Sequence, residues 1–387
     1  KKRQQVRADT GKHDRELRLN RRWSMRVAVV GGGPAGSSAA VAALQNQHEV
    51  VLWERNPGGN KPCGDAVGSG AVQTLERLGL SHVLVGAQQV DDVELTGPGG
   101  LSSVARPGES AFVLPRRVLD AALLAAAADR GAVIHHHSPN LQQDGDAVVV
   151  DGEKYDVVIA ADGAFSAVRG LLEGRVRPGR GWLYAVRGFV SSAAGHAMQL
   201  RWVKHGWPAY AWAFEEPGGM WNVGWGCEAR QAQKLETLKP VEACTAAWPD
   251  APLAWTEVKG WRSAWLPTTA ARLPLSHGRN VLFTGDAAGL INPLSGEGVG
   301  SALLSGRLAG SAAGSESPAE AYRKALSQIS AWRRQVGVIA VTQRFVPFFV
   351  DRAVNTVGAD TSLAAQVCGA ALGTQPVVYR NLPRLIF

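Results

Sequence analysis

Gly31, Gly33 and Gly36 stand in the spacing G-x-G-x-x-G, with Glu54 about 20 residues further on. Glycines so placed permit a tight turn, let backbone amides approach a pyrophosphate and allow a helix to pack close to a strand. The acid can accept hydrogen bonds from ribose hydroxyls. Ala35 in the same loop and Arg55 beside the acid complete this cofactor-facing set. Two later loops carry aspartates after apolar runs, at Asp162-Gly163 and at Gly285-Asp286, where a carboxylate can receive ribityl hydroxyls. A turn running from Gly296 through Gly298 to Gly300 then opens a helix whose positive end can face the N1/C2 edge of a flavin. A nicotinamide dehydrogenase needs only the first fingerprint; the loops together point to FAD.

Such loops work only between strands and helices. Met25–Val30 is apolar and Ser37–Leu44 is alanine-rich, giving strand, turn and helix around the first fingerprint. Glu49–Trp53 reads as the strand before Glu54, Asp156–Ala161 as the strand before Asp162, and the run from Asn280 as the strand before Asp286. The expected class is therefore α/β, within an α+β whole. Residues 71–104 read as a helix followed by a polar, glycine-broken excursion. Residues 183–269 differ in kind, since ten of the 13 tryptophans fall between Trp182 and Trp265. There Tyr210, Trp212 and Phe214 share one face of a strand, and Trp221, Val223 and Trp225 share one face of the next, across a turn at 215–219. Periodicity alone leaves open whether these rings pack a core or line a long apolar pocket.

From about 316 onward the chain reads as helical. Its apolar stretch Gln335–Val350 is flanked by Arg333, Arg334 and Arg352 and interrupted by Pro347, which makes it too short to span a bilayer. Resting on a membrane surface, roofing a lipid-accepting cavity and packing as an ordinary buried helix all fit it. The expected organisation is a basic extension over 1–24, a discontinuous FAD-binding domain over 25–70, 105–182 and 270–315, a substrate domain over 71–104 and 183–269, and a helical region over 316–387.

Composition limits the function classes. A length of 387 residues suits two interlocked layers and a helical tail better than one core. Cys63, Cys227, Cys244 and Cys368 are scattered, with no C-x-x-C pair and no secretory leader, which argues against disulfides and zinc and for a cytoplasmic enzyme. The net charge is +8, but residues 1–24 hold nine Lys or Arg against three acids, leaving +2 for the body and no basic face for nucleic acid. Met25 directly precedes the first strand, so residues 1–24 are expected to be a disordered upstream extension without a role, the alternative being a basic arm that touches an anionic surface. His135, His136 and His137 end an apolar strand where successive side chains point to opposite faces, so no metal site is expected.

Three further elements carry a narrower resemblance. They are the loop Lys61-Pro62-Cys63-Gly64-Asp65-Ala66-Val67-Gly68, the run Pro208-Ala209-Tyr210-Ala211-Trp212-Ala213-Phe214, and Arg116 with Leu119, Asp120 and Leu123. From Met25 to about Ala313 the chain resembles the geranylgeranyl reductase family of FAD-dependent oxidoreductases, within the p-hydroxybenzoate hydroxylase-like superfamily. The resemblance implies a Rossmann-type FAD-binding domain with an interleaved antiparallel-sheet substrate domain and a C-terminal helical region. It also implies that Cys63, Gly64 and Asp65 lie beside the isoalloxazine, that Arg116 contacts the flavin side of the cofactor, and that Tyr210, Trp212 and the Cys63 loop wall the reacting double bond. One departure stands out: the family motif closes with proline directly after the phenylalanine, whereas here Glu215 and Glu216 intervene before Pro217.

The activity so implied is hydride transfer from reduced FAD to one carbon of an isoprenoid double bond while an acid protonates the other. Tyr210, Cys63 and a bound water stand unranked as the acid. The partners implied are a hydrophobic or lipid substrate, an external electron donor (NADPH, NADH or ferredoxin) and a peripheral membrane contact. The rival expectation is an FAD-dependent monooxygenase acting on an aromatic or polycyclic compound. A halogenase is a more distant variant, because the W-x-W-x-I-P motif is absent. A non-catalytic flavoprotein would not require all three cofactor loops.

Overall fold

Val27, Ala28 and Val29 are wholly buried, as a strand must be when helices cover both faces of a parallel sheet. The computed structural model describes residues 24–373 apart from 60, 107–109, 192, 234–238 and 346, together with 381. Apart from Ser24, the basic stretch 1–24 lies outside the described residues. Arg26–Val30 is central in a six-stranded sheet ordered Ser276–His277, Val281–Phe283, Val157–Ala160, Arg26–Val30, Glu49–Trp53 and Val133–His135. All its pairings are parallel except that of Ser276–His277 with Val281–Phe283. Because the others run the same way, the loops after Val30, Trp53, Ala160 and Phe283 all emerge at one edge. That edge gathers Gly31, Glu54, Asp162 and Asp286 from four distant parts of the sequence.

Gly31 shows why glycine is needed in the first loop. Its φ is +102°, and a Cβ there would run into the Ala161 carbonyl oxygen. The helix Pro34–Gln45 follows at once and packs along Val299–Ala312, where a Cβ on Gly306 would strike the Ala35 carbonyl. The two helices that begin at cofactor-type loops are thus held backbone to backbone.

A second, seven-stranded sheet is ordered Lys259–Pro267, Trp182–Val190, Trp221–Glu228, Ala209–Glu215, Met198–Val203, Val93–Thr96 and Ser102–Ala105. Its register separates the two aromatic runs. Tyr210 lies opposite Gly226, Trp212 opposite Gly224 and Phe214 opposite Asn222, whereas Ala211 faces Trp225 and Ala213 faces Val223. Directly opposed residues share a face, so Tyr210, Trp212 and Phe214 point one way and Trp221, Val223 and Trp225 the other. The second set is core, packed with Cys244, Trp248 and Trp255. The first set has room because Gly224 carries no side chain, where a Cβ would collide with the Trp212 ring.

The chain closes with helices Pro318–Leu326, Ser330–Phe345, Pro347–Ala359 and Thr361–Leu372. The apolar stretch Gln335–Val350 is therefore split between two helices, the second beginning at Pro347, which lacks the N–H an unbroken helix would use. Val350, Val354, Val357, Ala364 and Cys368 pack in one cluster with Trp212 and Phe214, so the last two helices cover the Tyr210 side of the sheet. No described helix is long and apolar enough to cross a membrane.

Candidate functional site

Between the edge of the parallel sheet and the Tyr210 face of the larger sheet lies a cavity of about 650 Å³. Gly31, Gly33, Ala35, Glu54, Arg55, Cys63, Gly64, Arg116, Asp162, Gly163, Asp286, Gly296 and Gly298 line it, as do Tyr210 and Trp212. Gly36, Gly285 and Asp65 stand off its wall. Gly36 packs on the Gly31 carbonyl, and Gly285 is fixed by donation of its N–H to Ser305 Oγ at 2.9 Å.

At the dinucleotide-type end, Glu54 Oε2 accepts the Gly32 N–H at 2.7 Å and its Oε1 accepts the Asn56 N–H at 2.8 Å. Over Gly33 there is open space, with no atom within 4 Å of where a Cβ would be. Asp162 is drawn partly to the helix Ala167–Leu172, whose Ala167 N–H donates to Oδ2 at 2.6 Å. Its Oδ1 is buried and has no partner among the described residues, and burial raises the carboxyl's pKa. Asp286 Oδ2 lies 2.6 Å from Lys61 Nζ, which closes an ion pair between two of the loops.

Toward the aromatic sheet, Arg116 opens the helix Arg116–Asp129 and holds Asp120 in a two-pronged bond, with Nε and Nη2 each donating at 2.8 Å. The same guanidinium is within hydrogen-bonding reach of Cys63. Burial pushes the Cys63 thiol up, and the charge of Arg116 works against that rise. Gly64 touches the rings of Phe214 and Trp212, so a Cβ there would sit 3.0 Å from Phe214. The Tyr210 hydroxyl packs on Gly296, and burial raises its pKa as well. Tyr210, Trp212 and Phe214 follow one another with ring centroids 5.8 and 6.5 Å apart.

Sequence reasoning assigned no role to Glu297, Glu216 or Asn222. Glu297 lines the cavity at the start of Val299–Ala312, accepts the Gly300 N–H on Oε1 at 2.6 Å, and leaves Oε2 buried and unpartnered among the described residues. Its carboxyl is pushed up to about 7, chiefly by burial. Asn222 donates from Nδ2 to the Cys63 carbonyl at 2.8 Å and accepts from Trp212 Nε1 at 3.1 Å, tying the cysteine loop to the aromatic sheet. Strand alternation carried the signal for Asn222: it lies between Trp221 and Val223, on the face those two do not use.

A family model described as FAD binding domain matches residues 24–343. The menaquinone reductase of Mycolicibacterium smegmatis is 32% identical over 316 residues, covering 73% of this chain and 75% of that protein. A digeranylgeranylglycerophospholipid reductase of Methanopyrus kandleri is 29% identical over 322 residues, covering 73% and 75%. The crystal structure of a geranylgeranyl bacteriochlorophyll reductase-like protein from Thermoplasma acidophilum superposes with a TM-score of 0.74 at 20% identity, over 94% of this chain and 99% of that one.

Proposed function

The chain belongs to the FAD-binding-domain family and, within it, to the geranylgeranyl reductase-like oxidoreductases, and on that premise we propose that it reduces a carbon–carbon double bond of an isoprenoid chain, such as the side chain of a polyprenyl quinone. The observation that carries this is the contact of the Cys63-Gly64 loop with the Trp212 and Phe214 rings, on a cavity whose other end is built from dinucleotide-type loops. A flat apolar wall next to a cofactor loop suits an alkene, which offers no oxygen for the protein to polarise.

The residues present fit FAD. Two buried acceptors without partners among the described residues, Asp162 Oδ1 and Glu297 Oε2, and the open space over Gly33 suit a ligand bearing hydroxyls and a pyrophosphate. Gly31, Gly33 and Ala35 would take the pyrophosphate, Glu54 and Arg55 the adenosine ribose, and Asp162, Gly163 and Asp286 the ribityl chain. Gly296, Gly298, Arg116, Cys63 and Gly64 would take the flavin ring, with Gly36, Gly285 and Asp65 supporting from behind. Bound FAD, reduced by NADPH, NADH or ferredoxin, supplies a hydride.

The chain's own part is to exclude water, hold the double bond flat and provide a proton. Burial keeps the Cys63 thiol and the Tyr210 hydroxyl in their neutral forms, the forms able to give a proton. The test is anaerobic incubation of the reduced holoenzyme with a menaquinone or geranylgeranyl diphosphate, followed by mass analysis. A product heavier by two hydrogens is expected. Unchanged substrate without oxygen, with oxygen incorporated once air is admitted, would establish a monooxygenase instead.

A further inference from the structure

Glu215 and Glu216 intervene between Phe214 and Pro217, and Glu216 turns inward. Its backbone N–H donates to the Met220 carbonyl at 2.7 Å, closing the hairpin, and alternation puts its side chain on the face of Phe214 and Asn222. There it is buried, with Oε1 lacking any partner among the described residues. Its carboxyl lies within hydrogen-bonding reach of that of Asp65 and beside the Asn222 amide, whose two N–H hydrogens go to Asp65 and the Cys63 carbonyl. Asp65 is itself buried and holds the left-handed φ of +65°, a conformation that L-residues avoid unless their surroundings impose it. Its Oδ1 accepts the Arg116 N–H at 2.9 Å, Oδ2 accepts from Asn222 Nδ2 at 2.5 Å, and its own N–H donates to Cys63 Sγ at 3.3 Å.

We propose that Glu216 and Asp65 form a carboxyl–carboxylate pair that holds one proton and positions the Cys63 loop against the cavity. Two buried carboxyls in contact cannot both ionise cheaply. Burial raises both, but the bond between them pulls Asp65 back down and pushes Glu216 further up, so the shared proton resides on Glu216. Arg116 and Arg117 face the pair from the start of Arg116–Asp129, Arg187 from Trp182–Val190, and Cys63 from the loop itself; Arg262 faces Arg187 in turn. Arg116 is held charged, above all by Asp120, and the thiol, held up by burial, stays neutral, which leaves Glu216 as the member that titrates near neutrality. Losing the shared proton sets two carboxylates side by side around Asn222, the residue that grips the Cys63 carbonyl. Glu216 and Asp65 are positioning residues, acting on the site through Asn222 and the Cys63 backbone.

The effect on cofactor binding rests on FAD occupying this cavity, whereas the shared proton does not. FAD dissociation constants for the wild type, Glu216→Gln and Asp65→Asn, taken from about pH 6 to about pH 9, test the first. The wild type is expected to weaken about tenfold as pH rises past the value of about 7 near which Glu216 ionises. Glu216→Gln is expected to lose the Glu216 part of that dependence and keep only what Glu297 contributes, and Asp65→Asn to show the Glu216 transition at lower pH. Identical pH profiles for the wild type and Glu216→Gln would overturn the proposal. The thermal midpoints of the apoproteins give a second readout. If no variant binds FAD, the FAD cavity is wrong, and the pair stands or falls on whether wild type loses ground to Glu216→Gln between about pH 4.5 and about pH 7. Parallel midpoint curves across that window would sink it.

Discussion

Lys61 Nζ and Asp286 Oδ2 meet at 2.6 Å, joining the cysteine loop to a loop 225 residues further along the chain. Asp286 is 9% exposed, so its carboxylate relies on this partner, while Lys61 remains 42% exposed and screened. Lys61→Met should therefore destabilise the apoprotein by only about 1 kcal/mol. If the ribityl chain of FAD lies at Asp286 as proposed, the loss should shrink once FAD is bound, because its hydroxyls would then supply donors to that carboxylate. Thermal melts with and without FAD check both parts.

Gly31→Ala should damage both folding and cofactor binding. It combines a backbone strain of roughly 1–3 kcal/mol with a Cβ driven against the Ala161 carbonyl. FAD affinity by titration calorimetry should fall at least about tenfold; unchanged affinity would mean that the pyrophosphate lies elsewhere.

Glu297 supplies a pH dependence of definite sign. Its carboxyl is raised from 4.5 to about 7, so the stability attached to its neutral form is complete below about pH 4.5 and is lost as pH rises through about 7. Glu297→Gln should remove that loss and leave the variant more stable than wild type at about pH 8, by at most about 3 kcal/mol. Denaturant titrations at acid and alkaline pH measure the difference directly.

Trp212→Phe tests the wall. The smaller ring leaves a gap and strands Asn222 Oδ1, whose donor is Trp212 Nε1, so stability should fall by about 1–2 kcal/mol. KM for a polyprenyl substrate should rise while FAD content stays close to wild type. Tyr210→Phe separates wall from acid: a fall in kcat of about 100-fold with KM preserved assigns the proton to Tyr210, and an unchanged kcat leaves it to Cys63 or water.

The parallel sheet and its loops were legible because each is local: an apolar run, a glycine turn and an acid within a few residues of one another. The α/β class and the C-terminal helices follow from the same kind of signal. The aromatic sheet was only half legible. Alternation says which residues share a strand face, but the separation of Tyr210, Trp212 and Phe214 from Trp221, Val223 and Trp225 depends on hairpin register, which leaves its mark only in the glycines at 224 and 226. Glu216 was visible as a departure from a motif, yet its contact with Asp65 spans about 150 residues and leaves no periodic trace. Pro347 marked the break that divides the late apolar stretch between two helices.

On the proposed function, this cavity brings reduced FAD and an isoprenoid double bond together. The most direct measurement is the flavin absorbance of the reduced holoenzyme, mixed without oxygen with a menaquinone and followed in time. The oxidised spectrum should return with one equivalent of saturated bond formed per flavin. A flavin that stays reduced with every polyprenyl substrate, and reoxidises only in air, would contradict it.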